Sequence, residues 1–260
     1  MAREFQGASR ALTSGGLQAA SDNLSVSAAE IWTVLAVETQ GCGFLSDRRP
    51  PILFERHIFS RLTGHRFDVC DVSNPQAGGY GPDGAHQYDR LAAAIAMDRT
   101  AALQSASWGM PQIMGENFAS AGFPGVDAMV SAMCNSEDAQ LAAFAAFLKG
   151  NNLAGRLQSH DWVSFAKGYN GPNYAENQYD VKLAEHFQKY SAGPLPDLDV
   201  RTAQLYLTFA GFHPGGVDGV MGAHTRNALT AYQQQQGLPQ TGLADPATLE
   251  ALTSGLGASA

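Results

Sequence analysis

The stretch VLAVETQGCGF, Val34 to Phe44, sets a single carboxylate, Glu38, at the end of an apolar run that a glycine-rich turn then breaks. Ile31, Val34, Leu35 and Glu38 are spaced i, i+3, i+4 and i+7, so on a helix they share one face and the glutamate continues the apolar stripe. Just upstream, Ser27-Ala-Ala-Glu30 has the form of a capping box, which predicts a helix from there to about Thr39, ended by Gly41. A carboxyl held among apolar side chains loses hydration, which disfavours its charged form and raises its pKa from roughly 4.3 towards neutrality. Such a group can donate a proton at neutral pH. The same spacing also allows a plainer reading, in which the helix end meets solvent and Glu38 is a surface acid beside a turn.

Outward from this helix, periodicity predicts further helices at about 88–103, 137–149, 161–167 and 175–190. The second of these has a capping Ser136, acids at 137 and 138 that suit the positive helix end, and a terminating Gly150. PPILFERHIFSRLTGHRFDV, residues 50–69, has the apolar and aromatic content of short strands, or of a strand followed by a helical turn. The clearest seam is SAGPLPDLD, Ser191 to Asp199. The expected organisation is therefore a catalytic unit over 1–192, a linker over 193–199 that few core contacts cross, and a second unit over 200–260. In that last unit Thr225-Arg-Asn-Ala-Leu229 recurs as Thr248-Leu-Glu-Ala-Leu252, which implies two similar turn-helix units. The fold class predicted is mainly α, with a small β element in the first unit and three helices in the second.

Composition bounds the function. The chain has 260 residues, 45% of them hydrophobic and 15% charged, enough to bury a sizeable core. A net charge of −8 with no Lys/Arg cluster argues against a nucleic-acid partner. The opening MAREFQGASRALTSGG has no apolar signal core and no stretch approaches the ~18 apolar residues of a membrane span. The expectation is a chain made in the cytoplasm without its own export signal and with no integral membrane segment. Cys42, Cys70 and Cys134 form no CxxC pair and are expected as small buried thiols. The seven histidines are scattered without HExxH spacing, so no metal site and no cofactor are expected.

Two further stretches carry candidate binding groups. SASWGMPQIMGENF, Ser105 to Phe118, offers small residues for close backbone approach and an amide at Gln112. GYNGPNY, Gly168 to Tyr174, sets tyrosines and Asn170 around Gly171 and Pro172, a combination suited to sugar rings with apolar faces and hydroxyl edges. Taken singly, each also reads as a packed turn.

ETQGCGF, SWGMPQIM and YNGPNY, in that order, resemble the lysozyme-like superfamily that includes goose-type lysozymes and soluble lytic transglycosylases. GFLSDRRPPILFERHIFSRLTG looks more narrowly like the N-acetylmuramidase family found in phage endolysins. The resemblance spans roughly residues 15–190. It implies a lysozyme-like fold with Glu38 as general acid, Gln112 as a cleft residue, and Tyr169 with Asn170 as cleft or support residues. It departs from the family at Thr39, where serine is commoner. For the second carboxylate, Glu55 in FERH and Asp47 are the candidates; Glu55 reads equally as an ion-pair partner of Arg56 or Arg61. Residues 200–252 resemble the type 1 peptidoglycan-binding module, at Gln204, Asp218-Gly219, Thr225, Gln233, Gly242 and Thr248 among others.

The two resemblances together imply a modular, monomeric endolysin whose partner is bacterial peptidoglycan. It would act on the wall after release and cleave the β-1,4 bond between N-acetylmuramic acid and N-acetylglucosamine. A lytic transglycosylase, which leaves a 1,6-anhydro sugar at the same bond, is the nearest alternative. A cysteine peptidase using Cys42 with His57 or His65, a metallo-amidase, and a non-catalytic wall-binding protein are the readings from other classes.

Overall fold

The computed structural model describes residues 4–38, 42–68 and 70–255, with Glu38 described by its backbone alone. Thr39 and Gly41, on which the expected helix end turned, lie outside the described residues.

Thirteen helices and one small sheet are found among the described residues. In chain order they are α1 (Ser14–Leu24), α2 (Ala28–Glu38), β1 (Ile52–Phe54), α3 (Arg56–Leu62), α4 (Gln87–Ile95), α5 (Arg99–Gln104), β2 (Ala106–Trp108) and β3 (Ile113–Met114). There follow α6 (Val126–Asn135), α7 (Glu137–Gly150), α8 (Ala154–Gln158), α9 (Trp162–Asn170) and α10 (Tyr179–Ala192). The C-terminal unit holds α11 (Leu198–Phe209), α12 (Ala223–Gln235) and α13 (Pro246–Ser254). The mainly helical, lysozyme-like class predicted from the sequence is what the chain adopts, with its β element and its three C-terminal helices.

Capping fixes where several helices begin. Ser27 and Glu30 form the expected box at α2: Ala29 N donates to Ser27 Oγ, and Ser27 N donates to Glu30 Oε2 at 3.0 Å. Asp98 accepts from Ala101 N and starts α5, which breaks the single helix expected over 88–103 into two. Residues 50–62 resolve as a strand followed by a helix, and the sheet is completed by β2 and β3, drawn from a stretch that reads as a loop. The strands are antiparallel in the order β1-β2-β3, with Ile52 opposite Trp108 and Trp108 opposite Ile113.

The first unit has two cores that share α7. One lies under the sheet and gathers Phe54, Phe59, Leu91, Trp108, Met129 and Met133. The other is all-helical and gathers Ile31, Val34 and Leu35 of α2 with Leu141, Phe144 and Phe165. α2 packs on α10 and α1 on α7. This division into two lobes leaves the turn between β2 and β3 in contact with α7 and α9.

The C-terminal unit is stapled by two glutamines. Gln204 Oε1 accepts from Gly219 N at 2.9 Å while its Nε2 donates to Thr225 Oγ1 at 3.1 Å. Gln233 repeats the arrangement with Gly242 N and Thr248 Oγ1, both at 2.9 Å. The sequence repeat is thus a repeated device, in which a buried amide pins a glycine turn and the start of the next helix. A third core, built mainly from Leu205, Leu207, Val217, Leu229 and Leu252, also takes in Ala11 and Phe44 of the first unit.

Candidate active site

The three motif stretches meet on the turn between β2 and β3. Gln140, fully buried on α7, accepts from Met110 N at 2.7 Å and donates to Gly43 O at 2.9 Å. One side chain therefore holds Gly43 against the turn. Tyr169 comes to the same turn from α9, its hydroxyl donating to Pro111 O at 2.5 Å. Its ring stacks on Phe165 and meets Phe144 and Phe147 edge-on, so its position is set by packing. Tyr169 and Asn170 are the last residues of α9, not members of a loop, and Gly171 closes that helix with φ 84°.

Gln112 sits at the corner of the turn in the left-handed region, φ 49°. Its Nε2 donates to Gly109 O (2.8 Å) and Pro51 O (3.1 Å), and its Oε1 accepts from Ser107 (2.7 Å). Both amide donors are spent inside the protein, so Gln112 shapes the wall of a recess. The amide that the sequence offered for binding thus has its NH2 group turned to the protein's own carbonyls. Beside it lies a cavity of about 320 Å³ lined by Cys42, Phe44, Pro51, Asp83, Gly109 and Gln112, among others.

Glu38 is the last residue of α2. Its three stripe partners are buried, Ile31 at 0%, Val34 at 1% and Leu35 at 5% exposure, so the apolar face read from the sequence is the face α2 packs with. Glu55 caps the sheet end of α3, with its side chain mostly covered. Neither expected arginine pairs with it: Arg61 pairs with Glu116 at 2.6 Å, and Arg56 Nε donates to Gln76 O at 3.1 Å. Instead His57 Nδ1 lies 3.1 Å from Glu55 Oε2, yet both atoms are buried without an aligned hydrogen bond. Tyr80 stands close by, and burial first and then the Glu55 carboxylate push its hydroxyl pKa up. Asp47 is committed elsewhere, in an ion pair with Arg49 at 2.6 Å.

Sequence reading missed three residues that build this region: Glu137, Gln140 and Arg201. All are buried, Glu137 and Gln140 at 0% and Arg201 at 2% exposure. Glu137 looks from sequence like a first-turn acid complementing the helix dipole, and nothing in LDVRTAQLYLTF marks Arg201 as buried. Their depth follows from tertiary packing alone. Other chemistries fit less well. Burial and then Glu137 push the Cys42 thiol up to about 12, which removes the thiolate a cysteine peptidase needs. Ser60 and Asp68 both contact His65 through the same Nδ1, so they cannot form a relay across the ring. Among the described residues no three His, Cys, Asp or Glu side chains cluster as metal ligands, and no helix is long and apolar enough to cross a membrane.

A two-lobed helical fold with a small sheet, and a glutamate as the last residue of α2, defines a lysozyme-like class. Comparison with known proteins makes the class specific. Residues 27–191 match the N-acetylmuramidase family, and residues 196–252 match the peptidoglycan binding domain. The chain belongs to the N-acetylmuramidase family and is built on a modular plan. The crystal structure of the Burkholderia AP3 phage endolysin is similar at a TM-score of 0.66 and 44% identity, over 70% of this chain and 72% of that one. The N-acetylmuramoyl-L-alanine amidase CwlM of Mycobacterium tuberculosis is 46% identical over 77 residues, 30% of this chain. The chain spans 19% of the length of that protein.

Proposed function

We propose that this chain is an endolysin that hydrolyses the β-1,4 bond between N-acetylmuramic acid and N-acetylglucosamine, with Glu38 as general acid. The observation that carries this reading is the convergence of Gly43, five residues beyond Glu38, and Tyr169 on the β2-β3 turn in a chain of the N-acetylmuramidase family. Glu38 gives its proton to the glycosidic oxygen as the bond to the anomeric carbon breaks. A water attacks that carbon, and its proton passes to a second carboxylate, for which Glu55 is the candidate. The buried Glu55 Oε2, which has no aligned hydrogen bond although His57 Nδ1 lies 3.1 Å away, supports that role, since a buried acceptor left without a donor is uncommon where a carboxylate is purely structural. The C-terminal unit holds the enzyme on the wall.

Glu38→Gln keeps volume and removes the acidic proton. Folding and sedimentation with wall fragments should be unchanged, while turnover falls by about 10²–10⁴-fold, the usual worth of general acid catalysis. A variant that still clears walls at more than about a tenth of the normal rate would sink the assignment. Mass spectrometry of the digest separates a hydrolase, which leaves a reducing end, from a transglycosylase, which leaves a 1,6-anhydro end.

A further inference from the structure

Arg201 belongs to the first turn of α11, in the unit that the sequence assigns to wall binding, yet its guanidinium is buried in the other unit. It grips Glu137 of α7 bidentately: Nη2 lies 2.8 Å from Oε1 and Nη1 contacts Oε2. The same two carboxylate oxygens accept backbone N–H groups, Gly43 on Oε1 and Leu12 on Oε2, each at 2.8 Å. Four donors therefore converge on one buried carboxylate. Only the ionised form can serve them all, because a protonated carboxyl turns one oxygen into a donor and leaves an N–H without its acceptor. An ionised carboxylate at this depth requires a paired cation. Arg201 Nη2 also lies 3.8 Å from Met110 Sδ, in the turn that Gln140 ties to Gly43. The segment after Gly43 continues onto the same unit, with Phe44 edge-on to Phe209 at 6.4 Å.

We propose that Arg201 is a positioning residue for the hydrolytic site: through Glu137 it fixes Gly43, five residues beyond Glu38, and through Met110 it fixes the β2-β3 turn. The C-terminal unit then does more than tether the enzyme; it completes the framework of the other unit's active site. The inference rests on the reading of Glu38 as the general acid.

Turnover of a soluble glycan-strand fragment separates this role from tethering, because such a substrate needs no wall binding. Arg201→Lys keeps a cation opposite Glu137 but cannot hold both oxygens in a fork. Arg201→Met removes the charge altogether. Each is assayed at a temperature where near-ultraviolet circular dichroism shows the variant folded, beside Glu38→Gln in the unaltered background. The expected result for Arg201→Lys is a kcat lower by about 10- to 100-fold with KM within about twofold, the signature of misplaced catalytic groups with substrate contacts intact. Wall sedimentation should stay normal. A structural role alone would lower the melting temperature and leave kcat in the folded protein unchanged, and that outcome overturns the inference. If Glu38→Gln is inactive and Arg201→Lys has full kcat, the inference alone falls. If Glu38→Gln turns over normally, the reading beneath it has failed.

Discussion

Glu55 shows how a residue's partners can escape a reading of the sequence around it. Arg56 in FERH and Arg61 just beyond it offer two arginines for an ion pair, but a strand ends and a helix begins at that point, and both reach elsewhere. Arg61 reaches Glu116 and Arg56 reaches Gln76, and His57 is left beside the carboxylate. An acceptor oxygen without a donor is costly to bury, by about 1–3 kcal/mol, so Glu55→Gln should not lower stability if the carboxylate serves catalysis. The expected outcome is an unchanged or higher melting temperature with kcat reduced by about 10²–10⁴-fold. Near-normal turnover with a lowered melting temperature would return Glu55 to a structural role. The Ile31, Val34, Leu35 face was legible for a simpler reason: it depends on helical spacing alone, and α2 forms as the capping box dictates.

At the scale of elements, local signals fixed what local chemistry controls. α2 and α7 begin where their caps place them, and α7 extends over 137–150 against an expected 137–149. Other elements escaped: α6 starts at Gly125 without a side-chain cap, α1 was not anticipated although Thr13 caps it by accepting from Gly16 N, and β2 and β3 are too short to show an alternation. What makes the β2-β3 stretch a hairpin is its tie to Gln140, a contact 30 residues away in the chain between Met110 and that side chain. The same clamp makes Gly43 obligatory. A Cβ there would stand 2.5 Å from Gln140 Oε1 and 2.8 Å from Glu137 Cγ, inside contact distance of two side chains that cannot move without losing buried hydrogen bonds. Gly43→Ala should cost about 1–3 kcal/mol, the usual range for overpacking, and lower kcat as well, read by urea unfolding and turnover. Gly155→Ala on α8, where nothing lies within 4 Å, serves as the control and should be neutral or slightly stabilising. A neutral Gly43→Ala would show that the clamp yields more easily than its hydrogen bonds imply.

The whole molecule departs from the sequence reading at the seam between units. Two prolines and a glycine in 193–199 suggest a linker that few core contacts cross, and a linker is read from local composition. What crosses the seam is packed by residues remote in sequence: Ala11 and Phe44 enter the C-terminal core, and Arg201 reaches Glu137. Breaking a buried pair by removing one partner costs about 3–5 kcal/mol, so the two units are coupled in stability as well as in position. This coupling has a pH signature. Burial alone would raise the Glu137 pKa, but the Arg201 guanidinium and the Gly43 and Leu12 N–H groups outweigh it and hold the carboxyl below its ordinary value of 4.5. A carboxyl depressed on folding contributes its full stability above the unfolded value and loses it as pH falls through the folded one. Stability supplied by this pair is therefore complete above about pH 4.5 and declines in more acidic solution. Glu137→Gln combined with Arg201→Met removes the titrating group and its partner together. Between about pH 5 and about pH 3, the melting temperature of the wild-type protein should fall more steeply than that of the double variant. Glu30 and Asp245, whose carboxyls also lie below their ordinary range, titrate in both proteins and cancel in the comparison. Parallel slopes would mean that the Glu137–Arg201 pair does not change its protonation on unfolding, and that the seam is held by its apolar contacts alone.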